Sequence, residues 1–206
     1  MQLTGETKFF IGLIIATFLI IGIGVAVYSR PEPVLKREEL ITFASHTRGN
    51  IEAQNYLVEF SDYQCPACGT FKPLVDQIVE KYKDKLLFAY RNFPLAQHEF
   101  AEKAAETAEA AGEQGKYWEM HDYLFANQAN FSDEVFQEGA KKIGLDMDKF
   151  NESLKSGKFK SIIQDDLSYG TTHGVNSTPT FFLNGKKLSL FNQSDLETEV
   201  AKAIGE

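Results

Sequence analysis

The longest apolar segment of the chain lies at its amino terminus. Phe9 to Tyr28 is a run of 20 residues that are all apolar or glycine except Thr17. Since a helix rises about 1.5 Å per residue, this run would span about 30 Å, the thickness of a bilayer's hydrocarbon core. The pattern predicts one transmembrane helix and a membrane anchor over residues 1–28. A cleaved signal peptide is the alternative, but its apolar region is usually only about 7 to 15 residues long.

A polar segment separates this run from the rest of the chain. Residues 29–50 contain Pro31, Pro33 and Gly49 among mixed charges, which is typical of a linker with at most a short helix. We therefore expect the folded domain to occupy residues 51–206. Basic residues on both sides of the apolar run leave its orientation in the membrane open.

A strand, a turn with two cysteines, a helix and a second strand follow in that order. Tyr56–Phe60 and Leu86–Tyr90 are short, mainly apolar runs of strand-forming residues. Between them, apolar residues recur at helical spacing, namely Phe71, Leu74, Val75, Ile78, Val79 and Tyr82. This order predicts a βαβ unit with Cys65 and Cys68 at the carboxyl end of its first strand.

The pattern is helical from about residue 98 to residue 169. One apolar stripe consists of Phe100, Ala101, Ala104, Ala105, Ala108 and Ala111. Ser132 and Gly144 bracket a later helix as cap residues. About four or five helices fit this segment.

The last part of the chain returns to strand spacing and ends in a helix. Thr180–Leu183 and Lys186–Leu190 are predicted strands, and the pair Asn184-Gly185 between them is typical of a type I′ hairpin turn. Ser194 and Glu197 have the spacing of a capping box, which predicts the start of the final helix.

Composition narrows the class of protein. The chain has 206 residues, of which 43% are apolar, so it can bury a sizeable core. Its formal charge of -8 argues against a nucleic-acid partner, which would need clustered basic residues. The 2 cysteines are too few and too close together for a structural disulfide framework.

The cysteine pair Cys65-Pro66-Ala67-Cys68 has the spacing that thiol-disulfide exchange requires. The attacking sulfur must be a thiolate, and a second sulfur must lie near enough to resolve the mixed disulfide. With Cys65 at the helix N-cap and Pro66 at the first helical position, unpaired backbone N–H groups and the helix dipole would stabilise a Cys65 thiolate. Cys68, one turn further, would be the resolving thiol.

Metal and cofactor sites are the competing interpretation of this pair. Zinc would need two further ligands, and His98, His121 and His173 are not paired at ligand spacing. We interpret these histidines as helix-surface or capping residues. An iron–sulfur cluster would need more cysteines, and c-type haem attachment would need a histidine in place of Gly69. The sequence predicts a redox pair with no metal and no cofactor.

Glu59 stands in the middle of the apolar strand, six positions before Cys65. One interpretation is a strand with one solvated face. The other is an acid buried beneath the cysteines, where desolvation would raise its pKa and let it exchange a proton with Cys68.

Several segments of the sequence resemble the DsbA-like thioredoxin family. The resemblance rests on EFSDYQCPAC at residues 59–68, RNFPL at residues 91–95, GKYWEMHD at residues 115–122 and GVNSTPT at residues 174–180. It covers about residues 51–206 and also matches Pro73 to a helix-kinking proline. It implies an α/β thioredoxin-like fold with the helical segment inserted between a βαβ half and a ββα half.

The resemblance also implies functional roles. Glu59 matches the family's acid, and Thr178-Pro179 matches its cis-proline, where the Thr178 backbone would bind an extended substrate segment. It implies a single-anchor bacterial enzyme of the cell membrane, with its catalytic domain outside the cytoplasm and exported proteins as substrates.

Two departures leave the direction of the reaction open. Ala67 stands where the best-known periplasmic member has a histidine that stabilises the thiolate, and Thr178 precedes the proline as in many thioredoxins. We expect an oxidase of exported proteins that is reoxidised by a quinone-linked membrane partner. A reductase or isomerase of the same fold is the alternative. A membrane-tethered binding module with a vestigial motif is a third, against which the intact Cys65, Cys68 and Pro179 argue.

Overall fold

The computed structural model describes residues 4–28 and 33–206, and the chain divides between Pro33 and Val34 into two compact units. The described part of the first unit contains helix α1 (Gly5–Tyr28). No helix in the described ranges is long and apolar enough to cross a membrane. The transmembrane helix predicted over Phe9–Tyr28 is therefore not confirmed.

The second unit, residues 34–206, is described in full and contains a five-stranded sheet and eight α-helices. The strands are β1 (His46–Gly49), β2 (Asn55–Ser61), β3 (Leu86–Asn92), β4 (Thr180–Leu183) and β5 (Lys186–Lys187). The helices are α2 (Arg37–Leu40), α3 (Pro66–Lys81), α4 (Ala101–Gly112), α5 (Tyr117–Ala126), α6 (Asp133–Lys142), α7 (Met147–Ser156), α8 (Lys160–Thr172) and α9 (Ser194–Ile204).

The sheet has the strand order β1-β3-β2-β4-β5. β2 and β3 are parallel and are connected by α3, as the βαβ prediction requires, whereas the other neighbours are antiparallel. Helices α4 to α8 lie between β3 and β4 in the chain, so the predicted helical insertion is confirmed. The result is a thioredoxin-like α/β fold with a βαβ half, an inserted helical segment and a ββα half.

The segment predicted as a linker is partly folded. Leu35 and Leu40 are buried, and β1 pairs with β3 at the edge of the sheet. The second unit therefore begins at Val34, well before the predicted boundary at residue 51. The strand His-Thr-Arg-Gly contains no apolar residue, so alternation of apolar and polar positions could not reveal it.

The carboxyl-terminal hairpin and helix differ from the prediction in detail. Asn184 and Gly185 have φ of 50° and 83°, as a type I′ turn requires, but β5 covers only Lys186–Lys187. The predicted capping box at Ser194 does not form. A reciprocal pair forms two residues earlier instead: the Asn192 side-chain oxygen accepts from the Asp195 backbone N–H at 3.3 Å, and the Asp195 carboxylate accepts from the Asn192 backbone N–H at 3.0 Å.

Apolar side chains cover both faces of the central strand. Leu57 belongs to a cluster that includes residues of α3, α4 and α9, whereas Val58 and Phe60 belong to a second cluster on the opposite face. Because both faces of β2 are covered, every position from Tyr56 to Ser61 is buried. Glu59 therefore lies inside the protein, and the solvated interpretation is wrong.

Candidate active site

The two cysteines lie where β2 passes into α3. Cys65 is the N-cap residue of α3, Pro66 occupies the first turn, and Cys68 lies inside the helix, as predicted. Cys65 is 7% exposed and Cys68 is fully buried, so an incoming group can reach only the first sulfur. The backbone N–H of Cys65 donates to the Asp62 carbonyl at 3.1 Å, which closes the turn.

The two sulfurs have opposite electrostatic surroundings. A hydrogen bond from the Cys68 thiol, the nearby Thr178 side chain and the backbone N–H groups of Cys68 and Ala67 together lower the pKa of Cys65 to about 5, although burial opposes them. Burial, the hydrogen bond to Cys65 and the nearby Glu59 hold the pKa of Cys68 well above its ordinary value. At neutral pH the reduced pair therefore carries one thiolate, on Cys65, and one thiol, on Cys68.

The Thr178–Pro179 peptide bond is cis, and it brings a distant part of the chain to the cysteines. Cys65 Sγ lies 3.4 Å from the Thr178 carbonyl oxygen, to which only the protonated thiol form of Cys65 can donate. β4 begins directly after this loop and pairs with β2 through Phe60 and Thr180, which places the loop beside the cysteine turn. The buried hydroxyl of Thr178 has no hydrogen-bond partner in the structure.

Glu59 lies on the same strand as the cysteine turn and is 4% exposed. In the sheet it is flanked by Tyr90 of β3 and Phe181 of β4. Burial raises its pKa to about 7, against smaller lowering effects of the Ser61 hydroxyl and the Lys72 ammonium. The Ser61 oxygen has no hydrogen-bond partner in this arrangement, so its effect on Glu59 is one of proximity. The charge of Glu59 also raises the pKa of Cys68, so the two groups interact electrostatically.

Asp62 is a site residue that the sequence analysis missed. Its buried carboxylate accepts hydrogen bonds from the backbone N–H of Gln64 at 2.7 Å, from that of Leu95 at 2.9 Å, and from His98 Nδ1 at 2.7 Å. These bonds tie the start of the cysteine turn to the loop after β3. Its place directly after an apolar strand was the available signal, although two of its partners, Leu95 and His98, lie more than 30 residues away.

Gln128 was also missed. Its side-chain amide donates to the carbonyl oxygens of Tyr63 and Cys65 at 2.7 and 2.8 Å. Gln128 belongs to a short 3₁₀ turn, Gln128–Asn130, between α5 and α6. No local pattern in the sequence points to this contact.

The histidines differ from one another. His121 is buried among aromatic rings and bonds to the Tyr63 hydroxyl at 3.1 Å, so its interpretation as a surface or capping residue is wrong. Burial holds its pKa well below the ordinary value, which keeps the ring neutral. His173 is the C-cap residue of α8, in agreement with the capping interpretation. Within the described ranges, no three metal-binding side chains converge on a common point.

Comparison with known proteins agrees with this geometry. A family profile described as Thioredoxin matches residues 42–203, and the chain therefore belongs to this family. Among curated relatives, the Na(+)/H(+) antiporter NhaA 3 of Salinispora tropica is 38% identical over 143 residues, which are 69% of this chain and 22% of that protein. The chain thus spans about a fifth of that relative's length.

Solved structures define the subclass of the fold. The thiol-disulfide exchange protein α-DsbA2 of Wolbachia pipientis superposes with a TM-score of 0.71 and 24% identity, over 81% of this chain and 91% of that one. A thioredoxin-like oxidoreductase of Silicibacter pomeroyi DSS-3 gives a TM-score of 0.71 and 26% identity, over 82% and 98%. These matches confirm the resemblance of the fold to that of DsbA-like thiol-disulfide oxidoreductases.

Proposed function

We propose that the protein is a thiol-disulfide oxidase that introduces disulfide bonds into exported proteins. The observation that carries the proposal is the asymmetry of the two sulfurs: Cys65 is 7% exposed and has a lowered pKa, whereas Cys68 is fully buried and has a raised pKa. Interactions that stabilise the Cys65 thiolate stabilise the reduced enzyme, and a stable reduced form makes the disulfide an oxidant.

The reaction consists of two exchanges. A client thiolate attacks Cys65 Sγ, the Cys65–Cys68 bond breaks, and Cys68 leaves with the electron pair and takes up a proton. A second client thiolate then attacks the client sulfur of the mixed disulfide and releases Cys65 as a thiolate. The client loses two electrons and gains a disulfide, and the enzyme gains two electrons as a thiolate and a thiol.

Glu59 is the proton donor to Cys68 in this proposal. A pKa of about 7 means that the buried acid is about half protonated at neutral pH, so it can give a proton when Cys68 leaves and take it back during reoxidation. Its effect on the pKa of Cys68 supports this role.

Thr178 and Pro179 form the substrate-binding part of the site. The Thr178 carbonyl lies 3.4 Å from the sulfur that would receive the client, so an extended client segment could pair with this backbone while its cysteine meets Cys65. Recognition through main-chain hydrogen bonds tolerates many client sequences.

We further propose that residues 1–28 anchor the protein in the cell membrane, with the catalytic unit outside the cytoplasm and a quinone-linked membrane protein as its oxidant. The 20-residue apolar run supports this, as do its exposed apolar side chains, among them Phe9, Phe18 and Ile20.

Protease added to intact spheroplasts should digest the catalytic unit. Survival of residues 34–206 while an external control protein is degraded would contradict the topology.

Trapping of clients tests the proposed chemistry. Cys68→Ala should accumulate mixed disulfides with client proteins through Cys65, whereas Cys65→Ala should trap nothing. The Cys65→Ala/Cys68→Ala double variant is the control for noncovalent association. Equal trapping by both single variants would contradict the assignment of the nucleophile, and client retention by the double variant would favour a binding module.

A further inference from the structure

The amide of Gln128 holds the backbone of the cysteine turn from the helical insertion. Its nitrogen donates one hydrogen to the Tyr63 carbonyl and one to the Cys65 carbonyl. Both acceptors are carbonyl oxygens, so the nitrogen and not the oxygen of the amide must face them. The Cys65 carbonyl also accepts the first hydrogen bond of α3, from the Gly69 N–H at 3.2 Å.

Gly69 provides the room that this amide occupies. A Cβ atom at Gly69 would lie 2.5 Å from Gln128 Oε1 and 3.2 Å from Gln128 Cδ, which is closer than packed atoms approach. Glycine inside a helix is less favourable than alanine. The contact with Gln128 gives a physical reason for a glycine one residue after Cys68.

We propose that Gln128 is a positioning residue for Cys65 and that Gly69 provides the space that the Gln128 amide needs. The amide fixes the Cys65 carbonyl, and with it the direction in which the backbone N–H groups of Ala67 and Cys68 point at the sulfur. This inference rests on the proposed function, in which the Cys65 thiolate is the form that the reduced enzyme carries.

The electrostatics of the site agree with this arrangement. The backbone N–H groups of Ala67 and Cys68 are among the groups that lower the pKa of Cys65. If the turn relaxes, these groups move away from the sulfur and the thiolate loses part of its stabilisation. The helical insertion thereby sets the reactivity of a residue that belongs to the thioredoxin core.

The test is the pH dependence of Cys65 alkylation in the reduced full-length chain. Gln128→Ala should raise the pKa of Cys65 by about 0.5 to 1 unit, the equivalent of one net hydrogen bond. Gln128→Glu keeps the length of the side chain but removes the donors and adds a negative charge, so it should raise the pKa further.

Gly69→Ala supplies the second arm, because it displaces the amide without altering it. Alone it should raise the pKa of Cys65 about as much as Gln128→Ala does. In the Gln128→Ala background it should add nothing, because the space is then empty. Gln137→Ala is the matched control, since that amide bonds to Asn151 within the insertion at 2.8 Å.

Three results would overturn the inference. The first is a low wild-type pKa that the Gln128 variants leave unchanged, and the second is a Gly69→Ala effect that adds fully to that of Gln128→Ala. Both leave the proposed function standing. The third is a wild-type pKa near the free thiol's value of about 8.5, which would overturn the proposed function together with the inference.

Discussion

Two acids with little solvent exposure, Glu59 on β2 and Asp166 on α8, lie in contrasting surroundings. Asp166 accepts hydrogen bonds from Arg91 Nε at 2.7 Å and from the Asn92 backbone N–H at 2.9 Å. Arg91 in turn lies over the rings of Phe60 and Tyr169. Glu59 has the Ser61 hydroxyl and the Lys72 charge as groups that lower its pKa, and burial outweighs them.

The two acids have different roles, one in the stability of the fold and one in the proposed reaction. Burial raises the pKa of Asp166 as well, against the lowering effects of Arg91 and the Asn92 N–H, and these two contacts join α8 to the sheet. A buried acid with a pKa near 7 can change its charge at little cost, and Glu59 is near enough to the cysteines for its charge to raise the pKa of Cys68. The direct contacts of Asp166 thus stabilise the fold, whereas Glu59, which has no basic side chain in hydrogen-bond contact among the described residues, is the acid that the proposed reaction can use.

The largest expected effect is on the Arg91–Asp166 pair. Arg91→Met should lower the free energy of unfolding by about 3 to 5 kcal/mol, because it leaves an unpaired buried carboxylate, and should leave the pKa of Cys65 unchanged. Urea unfolding measures the free energy of unfolding, and the pH dependence of alkylation measures the pKa of Cys65. The Arg91→Met/Asp166→Leu variant should recover part of the loss, because it removes the uncompensated carboxylate but leaves the Asn92 N–H without its acceptor. Lys81→Met, which breaks the exposed pair with Glu197, should lower the free energy of unfolding far less, because solvent screens that pair. Similar losses of unfolding free energy for Arg91→Met and Lys81→Met would contradict the structural role assigned to the Arg91–Asp166 pair.

Glu59→Gln should give a pH-dependent gain. The folded-state pKa of about 7 lies above the ordinary value of 4.5, so the stability linked to the protonated acid is full below about pH 4.5 and is lost as the pH rises through 7. At pH 8 the glutamine variant of the oxidised protein should be more stable than the wild type by about 3 kcal/mol, and at pH 4 the two should be nearly equal. Glu152→Gln, at an exposed helix position, is the control. A difference that does not vary with pH would show that Glu59 does not titrate in this range.

Ser61→Ala should have the smallest effect. The hydroxyl lowers the pKa of Glu59, so its removal should raise that pKa by about half a unit. At pH 5, where Glu59 is protonated, the unfolding free energy should hardly change, because the hydroxyl has no hydrogen-bond partner to lose. Carboxyl carbon NMR titration of Glu59 measures the shift. A lowered pKa, or a large loss of stability at pH 5, would contradict this reading of the site.

Local patterns were sufficient to predict the elements around the cysteines. The strand before Cys65, the helix that Pro66 starts and the strand Thr180–Leu183 all follow from periodicity and capping within a few residues. The contacts that complete the site were beyond local patterns. Gln128 and Cys65 are 63 residues apart in the chain. The burial of Glu59 depended on whether other elements would cover both faces of β2, which the strand's own sequence does not specify. The cis state of Thr178–Pro179 came from the family resemblance and is confirmed.

The reduction potential of the Cys65–Cys68 couple tests the central claim most directly. Thioredoxin-fold couples range from about -270 mV for thioredoxin to about -120 mV for DsbA. The low pKa of Cys65 predicts a value on the oxidising side of thioredoxin, and Ala67, which adds no donor, predicts one below the DsbA extreme. Equilibration of the full-length chain in glutathione buffers, followed by alkylation of free thiols, gives the value. A potential between these limits supports the oxidase. A potential at or below about -270 mV would contradict it and favour the reductase.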